Sequence, residues 1–340
     1  MSTPKRINLA LQGGGAHGAF TWGVLDRLLD DERIEIAGIS GTSAGALNGA
    51  AFKAGWVSGG REGARDNLDW LWSQMGAIDD LRMPSWMAAH MPGIGFFSDA
   101  LELSPVYMWT DAMSRVVSPY AYGSFYLNPL RRVVDQFAYD RVCQICEPHF
   151  FVGATNVHTG KIRVFEGDEI TSDAILASAC LPTLFQAVEI GDAHYWDGGY
   201  SGNPPLFPLY ASDMPDDIVV VNINPLERPE VPKTPQDIQN RINEISFNAS
   251  LLRELRAIKF VQELLDRDQI QGRQMKRVLV HMIADDDLMR DLSVATKTVP
   301  TSYVLARLKS AGQAAAGRFL DAHFKDIGKR DSVELTDMFG

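Results

Sequence analysis

The chain has 340 residues, of which 46% are hydrophobic and 22% are charged, a composition typical of a globular protein. So many apolar residues exclude an intrinsically disordered chain, and the sequence has no internal repeat. The longest apolar runs are far shorter than the roughly 20 residues that cross a bilayer, and the N-terminus lacks the apolar core of a signal peptide. We therefore expect a cytoplasmic protein.

The charge is divided unevenly along the chain. Residues 1–225 hold 14 Lys and Arg against 26 Asp and Glu, a net of −12, whereas residues 226–340 hold 18 against 17. An acidic front half repels polyphosphate, so nucleic acid is not an expected partner. The same sign disfavours simple electrostatic adsorption to strongly anionic lipid.

The three cysteines, Cys143, Cys146 and Cys180, are too few for a disulfide framework. The pair Cys143 and Cys146 lacks a second pair, or a nearby His, to complete a zinc site. We therefore expect these thiols to be structural or incidental.

Hydrophobic periodicity predicts alternating strands and helices in the first sixty residues. Residues 7–11 and 34–39 read as strands, each followed by a glycine-rich turn and then a helical pattern. Such alternation predicts an α/β fold with a mainly parallel sheet covered by helices on both faces. Further predicted strands span residues 150–154, 161–165, 218–223 and 278–284.

Two helices are predicted in the second half of the chain. Apolar residues step by three and four over residues 238–265, which fits a crossover helix between parallel strands; a coiled-coil dimer face is the alternative. A closing helix spans about residues 301–324, and the tail from residue 325 is expected to be loosely held. No linker separates the halves, so we expect one domain.

Residues 83–126 are rich in Met and aromatic side chains and are interrupted by prolines. Prolines exclude a single long helix here. The segment fits a lid or the wall of an acyl-chain pocket, because soft side chains adapt to flexible apolar ligands. Ordinary core filling by an irregular insertion is the alternative.

A glycine loop follows the first predicted strand, where residues 12–18 read Gln-Gly-Gly-Gly-Ala-His-Gly. Without Cβ atoms, Gly13, Gly14 and Gly15 can turn sharply and direct backbone N–H groups at an anion, aided by the positive end of the following helix. The loop therefore fits an oxyanion site.

The same loop also fits a nucleotide site. Gly13, Gly15 and Gly18 match G-x-G-x-x-G, and Asp30 or Asp31 lies near the distance expected of a ribose-binding acid. From this segment alone both interpretations stay open.

Residues 41–45 read Gly-Thr-Ser-Ala-Gly, between a predicted strand and a predicted helix. This is the G-x-S-x-G pattern of a nucleophile elbow, in which Gly41 and Gly45 avoid collisions where strand and helix cross. Ser43 would then project from the sheet edge at the start of a helix that favours developing negative charge. A plain Gly-Ser turn is the alternative.

Residues 195–199 read Tyr-Trp-Asp-Gly-Gly and end a short extended run. Gly198 and Gly199 let the chain turn away, so that Asp197 can project its carboxylate into a site. Asp-Gly also commonly makes an ordinary turn.

Together the glycine loop, the elbow and the Asp-Gly-Gly segment, in this order, resemble the patatin-like phospholipase family. Residues 177–182, Ala-Ser-Ala-Cys-Leu-Pro, have the same family character. The resemblance implies a three-layer α/β/α fold, with residues 5–225 as the catalytic core and residues 226–340 as a C-terminal part packed on the same domain. It implies a lipid or fatty-acyl ester substrate, peripheral contact with a membrane, and neither a metal nor a cofactor.

Carried over position by position, the resemblance makes Ser43 the nucleophile and Asp197 its base, with the N–H groups of Gly13, Gly14 and Gly15 as the oxyanion hole. The family loop usually has Arg or Lys where this chain has His17, so a permanent charge becomes a titratable one. A free Asp is a weak base, so either burial raises the pKa of Asp197 or proton transfer occurs late in the reaction, and activity is expected to persist to mildly acid pH.

Other functions stay open on the sequence. A Ser-acid-His triad would need His281 or His323, both of which read as structural. A nucleotide-binding oxidoreductase and a non-catalytic lipid-binding module are two further alternatives. The head group of the lipid is not determined, although the acidic front half favours neutral or zwitterionic lipid over anionic lipid.

Overall fold

The computed structural model describes residues 3–77, 98, 101, 104, 117–144, 146–269 and 275–339. Most of the segment 83–126 lies outside the described residues, so a lid and a core insertion both stay predictions. Among the helices described, none combines the length and the apolar character needed to cross a bilayer.

Eight strands form a single sheet. Their bounds are β1 Lys5–Leu11, β2 Ile34–Gly41, β3 His149–Asn156, β4 Ile162–Glu166, β5 Val188–Ile190, β6 Ala193–Asp197, β7 Asp217–Val221 and β8 Leu279–Ile283. Successive strands are hydrogen-bonded along the path β5-β6-β3-β2-β1-β7-β8, and β4 also pairs with β3. The pairs β1–β2, β1–β7, β2–β3 and β7–β8 are parallel. The six predicted strands are all present, and β6 is the short extended run expected to end near Asp197, whereas β5 was not predicted.

The helices connect these strands across both faces of the sheet. Their bounds are α1 Gly18–Leu29, α2 Ala44–Ala77, α3 Arg131–Val134, α4 Tyr139–Val142, α5 Ser172–Ser178, α6 Pro235–Asp266, α7 Asp286–Arg290, α8 Val294–Thr298, α9 Ser302–His323 and α10 Leu335–Phe339. The long helix α2 is broken at Gly59 and Gly60, where the backbone leaves helical geometry. One hydrophobic core lies between the sheet and α1, α2 and α9, and a second lies on the opposite face beneath α6. This confirms the predicted α/β fold, a mainly parallel sheet between two helical layers.

Strands β2 and β6 share one edge of β3. Strand β2 pairs with residues 149–152 and β6 with residues 154–156, while β4 pairs with residues 151–155 and so must occupy the other edge. Because β2 runs parallel to β3 and β6 runs antiparallel, their C-terminal ends face each other across Gly153. The turn after β2 and the turn after β6 therefore meet.

The C-terminal part contributes to the same sheet and layers. Strand β8 pairs with β7, and α9 packs on α1 so closely that a Cβ on Gly23 would overlap the carbonyl oxygen of Lys309. The predicted crossover helix is α6, which buries Leu251 and Leu255 in the second core. Its first turns leave Ile242 exposed.

The tail after α9 is held more firmly than the sequence indicates. The Ser332 N–H donates to the Val280 carbonyl at 3.1 Å, and Ile327 and Leu335 are buried. The expectation of a loose tail was wrong because it treated these residues as an ordinary chain end, whereas the tail borders β8.

Candidate active site

Ser43 occupies a strained turn between β2 and α2. Its φ is +55°, a conformation that L-residues other than glycine rarely adopt. The two flanking glycines are required here: a Cβ on Gly41 would lie 2.6 Å from the Gly45 carbonyl oxygen, and a Cβ on Gly45 would overlap the Leu11 carbonyl. The local geometry is that of the predicted nucleophile elbow.

The backbone of Ser43 is held by a side chain from another element. The Ser43 N–H donates to Ser178 Oγ at 2.9 Å, and this hydroxyl donates in turn to the Gly153 carbonyl at 2.6 Å. Ser178 lies in the segment 177–182 noted in the sequence, but the sequence assigned it no role. The contact shows that α5 fixes the elbow relative to β3.

Asp197 ends β6 with its side chain buried, at 1% exposure. Its Oδ1 accepts the Gly199 N–H at 2.8 Å, and its backbone N–H donates to the Cys180 carbonyl at 2.8 Å. Its Oδ2 is buried and finds no hydrogen-bond partner among the described residues. One carboxylate oxygen is therefore held by a hydrogen bond, and the other has no hydrogen-bond donor among the described residues.

Burial raises the pKa of Asp197 to about 7. The Gly199 N–H and the Ser43 hydroxyl act in the opposite direction, because they favour the carboxylate. The expected upward shift is thus confirmed, and its cause is desolvation.

Ser43 and Asp197 are neighbours that form no hydrogen bond in this structure. The serine hydroxyl is near enough to lower the carboxyl pKa, yet Oδ2 has no partner that meets hydrogen-bond geometry within the described residues. Gly198 joins their turns, since a Cβ there would lie 2.9 Å from Thr42 Cγ2. Catalytic hydrogen bonds in free enzymes are often longer than in the substrate complex.

The glycine loop lies directly against Ser43. A Cβ on Gly13 would lie 2.7 Å from Ser43 Cβ, so no larger residue fits there. The Gly13 N–H, however, donates to Asn203 Oδ1 at 2.7 Å. Among the described residues, the N–H groups of Gly14 and Gly15 have no acceptor. The Gly13 amide is therefore already used, whereas those of Gly14 and Gly15 are available, and the oxyanion hole at Gly13, Gly14 and Gly15 stays a prediction.

Four buried polar side chains hold the loop in place. The Gln12 Oε1 accepts the backbone N–H of Ile223 at 2.9 Å, and the Asn224 Nδ2 donates to the Gly13 carbonyl at 2.8 Å. Gln12 Nε2 also donates to the Asn203 carbonyl and to Asn248 Oδ1. The sequence did not identify these amides, because their partners are about 190 to 236 residues away along the chain.

His17 is buried and uncharged. Its Nε2 contacts Thr296 Oγ1 at 2.9 Å, and that hydroxyl gives its single proton to the Ser293 carbonyl at 2.8 Å. Nε2 must therefore carry the imidazole proton. Burial, with Lys297 and Arg228 nearby, holds the pKa of His17 well below its ordinary value. The titratable charge expected at this position is thus absent at neutral pH.

Gly18, the next residue, packs against α2, where its Cβ would lie 2.6 Å from Ala44 Cβ.

The histidines considered for a triad lie elsewhere. His281 is fully buried in β8, where Nε2 contacts Asp217 Oδ1 at 2.9 Å and Nδ1 contacts Ser332 Oγ at 3.0 Å. His323 contacts Asp326 Oδ2 at 3.0 Å at the end of α9. Both side chains are used in contacts that do not involve Ser43.

The acids considered for a nucleotide site lie at the wrong edge of the sheet. Asp30 and Asp31 follow the C-terminal end of α1, whereas the glycine loop is at its N-terminal end. Asp31 pairs with Arg33 and Asp30 with Arg65. Neither carboxylate can reach a ligand held by the loop.

Within the described residues, no group of three or more His, Cys, Asp or Glu side chains converges as a metal site requires.

Residues 9–210, more than half of the chain, match the model of the family described as patatin-like phospholipase. Solved structures of similar chains include VipD from Legionella pneumophila, with 14% identity and a TM-score of 0.46 over 95% of this chain and 68% of that one. The complex of ExoU with SpcU from Pseudomonas aeruginosa gives 18% identity and a TM-score of 0.30 over 73% of this chain and 51% of that one. The type III effector ExoU gives 14% identity and a TM-score of 0.34 over 94% of this chain and 53% of that one. This chain thus spans about two thirds of VipD and about half of ExoU. No curated protein sequence matches it.

Proposed function

Because the chain belongs to the patatin-like phospholipase family, a family of lipid hydrolases, we propose that it cleaves carboxylic ester bonds of lipids through an acyl-enzyme on Ser43. Asp197 acts as the base. The N–H groups of Gly14 and Gly15 form the oxyanion hole. The reaction uses no other protein nucleophile.

The reaction begins with proton transfer from the Ser43 hydroxyl to Asp197 as the oxygen attacks the ester carbonyl. The unoccupied Oδ2 is the acceptor, while the Gly199 N–H keeps Oδ1 in place. Burial raises the carboxyl pKa to about 7, which makes Asp197 a far better base at neutral pH than a free aspartate. The protonated Asp197 then gives its proton to the leaving alcohol.

The tetrahedral intermediate carries its negative charge on the former carbonyl oxygen. Gly14 and Gly15 follow Gly13, which packs against Ser43, and their N–H groups have no acceptor among the described residues. Losing one such donor typically raises a barrier by about 2.7 to 4 kcal/mol. Water then attacks the acyl-enzyme, with Asp197 again accepting the proton.

A single observation carries this proposal. The turn that holds Ser43 at a φ of +55°, the end of β6 at Asp197 and the glycine loop at Gly13 meet at one place in the sheet. An ordinary strand-helix connection has no need for a strained serine beside a buried carboxyl group with one free oxygen.

The test is covalent labelling with a fluorophosphonate probe, together with release of fatty acid from a chromogenic acyl ester. We expect wild-type protein to be labelled at Ser43 and to hydrolyse the ester, and Ser43→Ala to do neither. Ser73→Ala, which changes an exposed serine on α2, is the matched control and should behave as wild type. Folded wild-type protein that is neither labelled nor active would contradict the proposal and favour a non-catalytic lipid-binding module.

A further inference from the structure

Lys297 extends along the glycine loop from the C-terminal part of the chain. Helix α8 packs against the loop so closely that a Cβ on Gly15 would overlap the Lys297 carbonyl oxygen and lie 3.6 Å from Lys297 Cβ. At its far end, Lys297 Nζ donates to Asn224 Oδ1 at 3.1 Å. That oxygen lies 3.7 Å from the position of a Cβ on Gly14. Lys297 thus contacts the loop at Gly15 through its backbone and Cβ, and its ammonium group binds the asparagine oxygen that lies near Gly14.

The charge of Lys297 is not neutralised by a neighbour. An ammonium group has three N–H donors, and the contact with Asn224 uses one. No described carboxylate lies within 4.0 Å of it. The charged groups that act on Lys297 are Glu244 and Arg228, and Glu244 is already paired with both Arg228 and Arg241. Asp237 and Asp291 also act on Arg228, so charges of both signs lie in this corner of the molecule, but none of the described carboxylates pairs with Lys297.

Burial and the nearby Arg228 lower the pKa of Lys297 to about 8, and Glu244 opposes the shift. The side chain thus remains mostly protonated at neutral pH. A charge that is held partly out of water without a counterion is unfavourable, so a bound anion stabilises it.

We propose that Lys297 is a specificity-determining residue that binds the phosphate of a glycerophospholipid while its ester lies on Ser43. This inference rests on the proposed function and names the substrate class of the same site. A permanent anion suits Lys297 better than the transient oxyanion, because the ammonium group has a permanent charge and no fixed counterion. The expectation drawn from net charge was neutral or zwitterionic lipid over anionic lipid. A zwitterionic phospholipid satisfies both that expectation and this proposal, whereas an anionic one is favoured here because a local cation outweighs distant carboxylates at short range.

The test compares substrates that share their acyl chains and differ only in the phosphate: dihexanoylglycerol, its 3-phosphate and its 3-phosphocholine. We expect the wild-type kcat/KM to be at least about tenfold higher for the two phosphate-containing substrates, as a charge-assisted hydrogen bond contributes this order of discrimination. Lys297→Met should abolish the preference by raising KM for those two substrates only. Lys297→Arg should keep most of it.

Lys325→Met is the matched control, because it removes an exposed lysine beyond α9, and it should keep the preference. Fluorophosphonate labelling of Ser43 verifies that each variant has a folded site. A wild-type enzyme that hydrolyses dihexanoylglycerol at Ser43 with no preference for phosphate overturns the inference and leaves the proposed function intact. An equal loss on all three substrates in Lys297→Met also overturns it, since the lysine would then act on the oxyanion or on loop structure. Wild-type protein inactive on all three substrates and unlabelled contradicts the proposed function itself.

Discussion

Gly41 and Asp197 lie two positions apart along one edge of β3, where Gly41 pairs with Val152 and Asp197 pairs with Ala154. One strand arrives parallel to β3 and the other antiparallel, so their ends face each other. Ser43 follows Gly41 by two residues. The meeting of Ser43 and Asp197, the proposed nucleophile and base, is therefore determined by the pairing of the sheet and does not depend on a flexible loop.

The pH dependence of activity follows from the pKa of Asp197, which burial raises to about 7. The base works as a carboxylate, so kcat/KM should rise with pH, reach half its plateau near pH 7 and level off above it. This places the acid limb higher than the mildly acid range expected from the sequence. The measurement is kcat/KM for a neutral chromogenic ester from pH 5 to 9. A profile that is flat down to pH 5 would contradict the assignment.

Replacement of the base has two consequences. Asp197→Asn should reduce kcat by about 10² to 10⁴, because an amide cannot accept the serine proton. Stability should also change its pH dependence. The folded pKa of about 7 lies above the ordinary value of 3.8, so the folded state binds the proton more tightly and wild-type stability falls as pH rises from about 4 to 7. Chemical denaturation at several pH values should show this fall in the wild type and a smaller one in Asp197→Asn.

Gly13→Ala should inactivate the enzyme. The new Cβ would lie 2.7 Å from Ser43 Cβ and 2.9 Å from the Thr42 carbonyl oxygen, so the loop or the elbow must shift. A displacement of about 1 Å at a catalytic group can reduce the rate by about 10². Gly76→Ala is the control, because its Cβ on α2 would meet only Leu305 Cδ1 at 3.4 Å. Normal fluorophosphonate labelling of folded Gly13→Ala protein would show that this close contact is not needed.

Ser178→Ala tests the support of the elbow. Loss of Oγ leaves the buried Ser43 N–H and the Gly153 carbonyl without their partner, which typically costs about 1 to 3 kcal/mol. Because Ser178 positions Ser43, we expect kcat to fall about tenfold or more with little change in KM. Steady-state kinetics separates the two constants. A rise in KM with unchanged kcat would instead place Ser178 in substrate binding.

The sequence predicted most of the fold, since the main strands and helices have strong local periodicity. It missed β5, which is three residues long and carries little hydrophobic pattern. Ser43 and Asp197 could be chosen because a strained turn and a strand end need glycines beside them. These glycines lie within two residues of Ser43 and Asp197, so the sequence alone reveals them.

The supporting residues could not be predicted in the same way. Ser178, Asn203 and Asn224 act on Ser43 and Gly13 over 135 to 211 residues of chain, and serine and asparagine occur on any protein surface. Lys297 is also unmarked in the sequence, since its importance depends on the packing of α8 against the loop. Only the three-dimensional arrangement shows that the Gly13 amide is already occupied.

His281 should contribute to stability and not to catalysis. It is fully buried between Asp217 and Ser332, so His281→Ala leaves a cavity and two polar groups without their partner. We expect a loss of about 2 to 4 kcal/mol in the free energy of unfolding. Labelling by the fluorophosphonate probe and turnover per folded molecule, with folding verified by circular dichroism, should both stay near the wild-type values. A folded variant that is neither labelled nor active would revive the triad.

The crossing of α1 and α9 gives a stability prediction with an internal control. A Cβ on Gly312 would overlap the Phe20 carbonyl oxygen, while a Cβ on Gly317 of the same helix would have Arg27 Nε as its nearest neighbour at 3.9 Å. Gly312→Ala should therefore force the helices apart and destabilise the protein by about 1 to 3 kcal/mol or more. Gly317→Ala should be neutral or stabilising by up to about 1 kcal/mol, because alanine favours the helix over glycine. Thermal and urea unfolding of both variants measures the difference in their free energies of unfolding. Equal stability of the two variants would mean that α9 does not pack on α1 as closely as the Gly312 contact indicates. Because α8 immediately precedes α9, Gly312→Ala should also weaken any preference for phosphate that depends on Lys297.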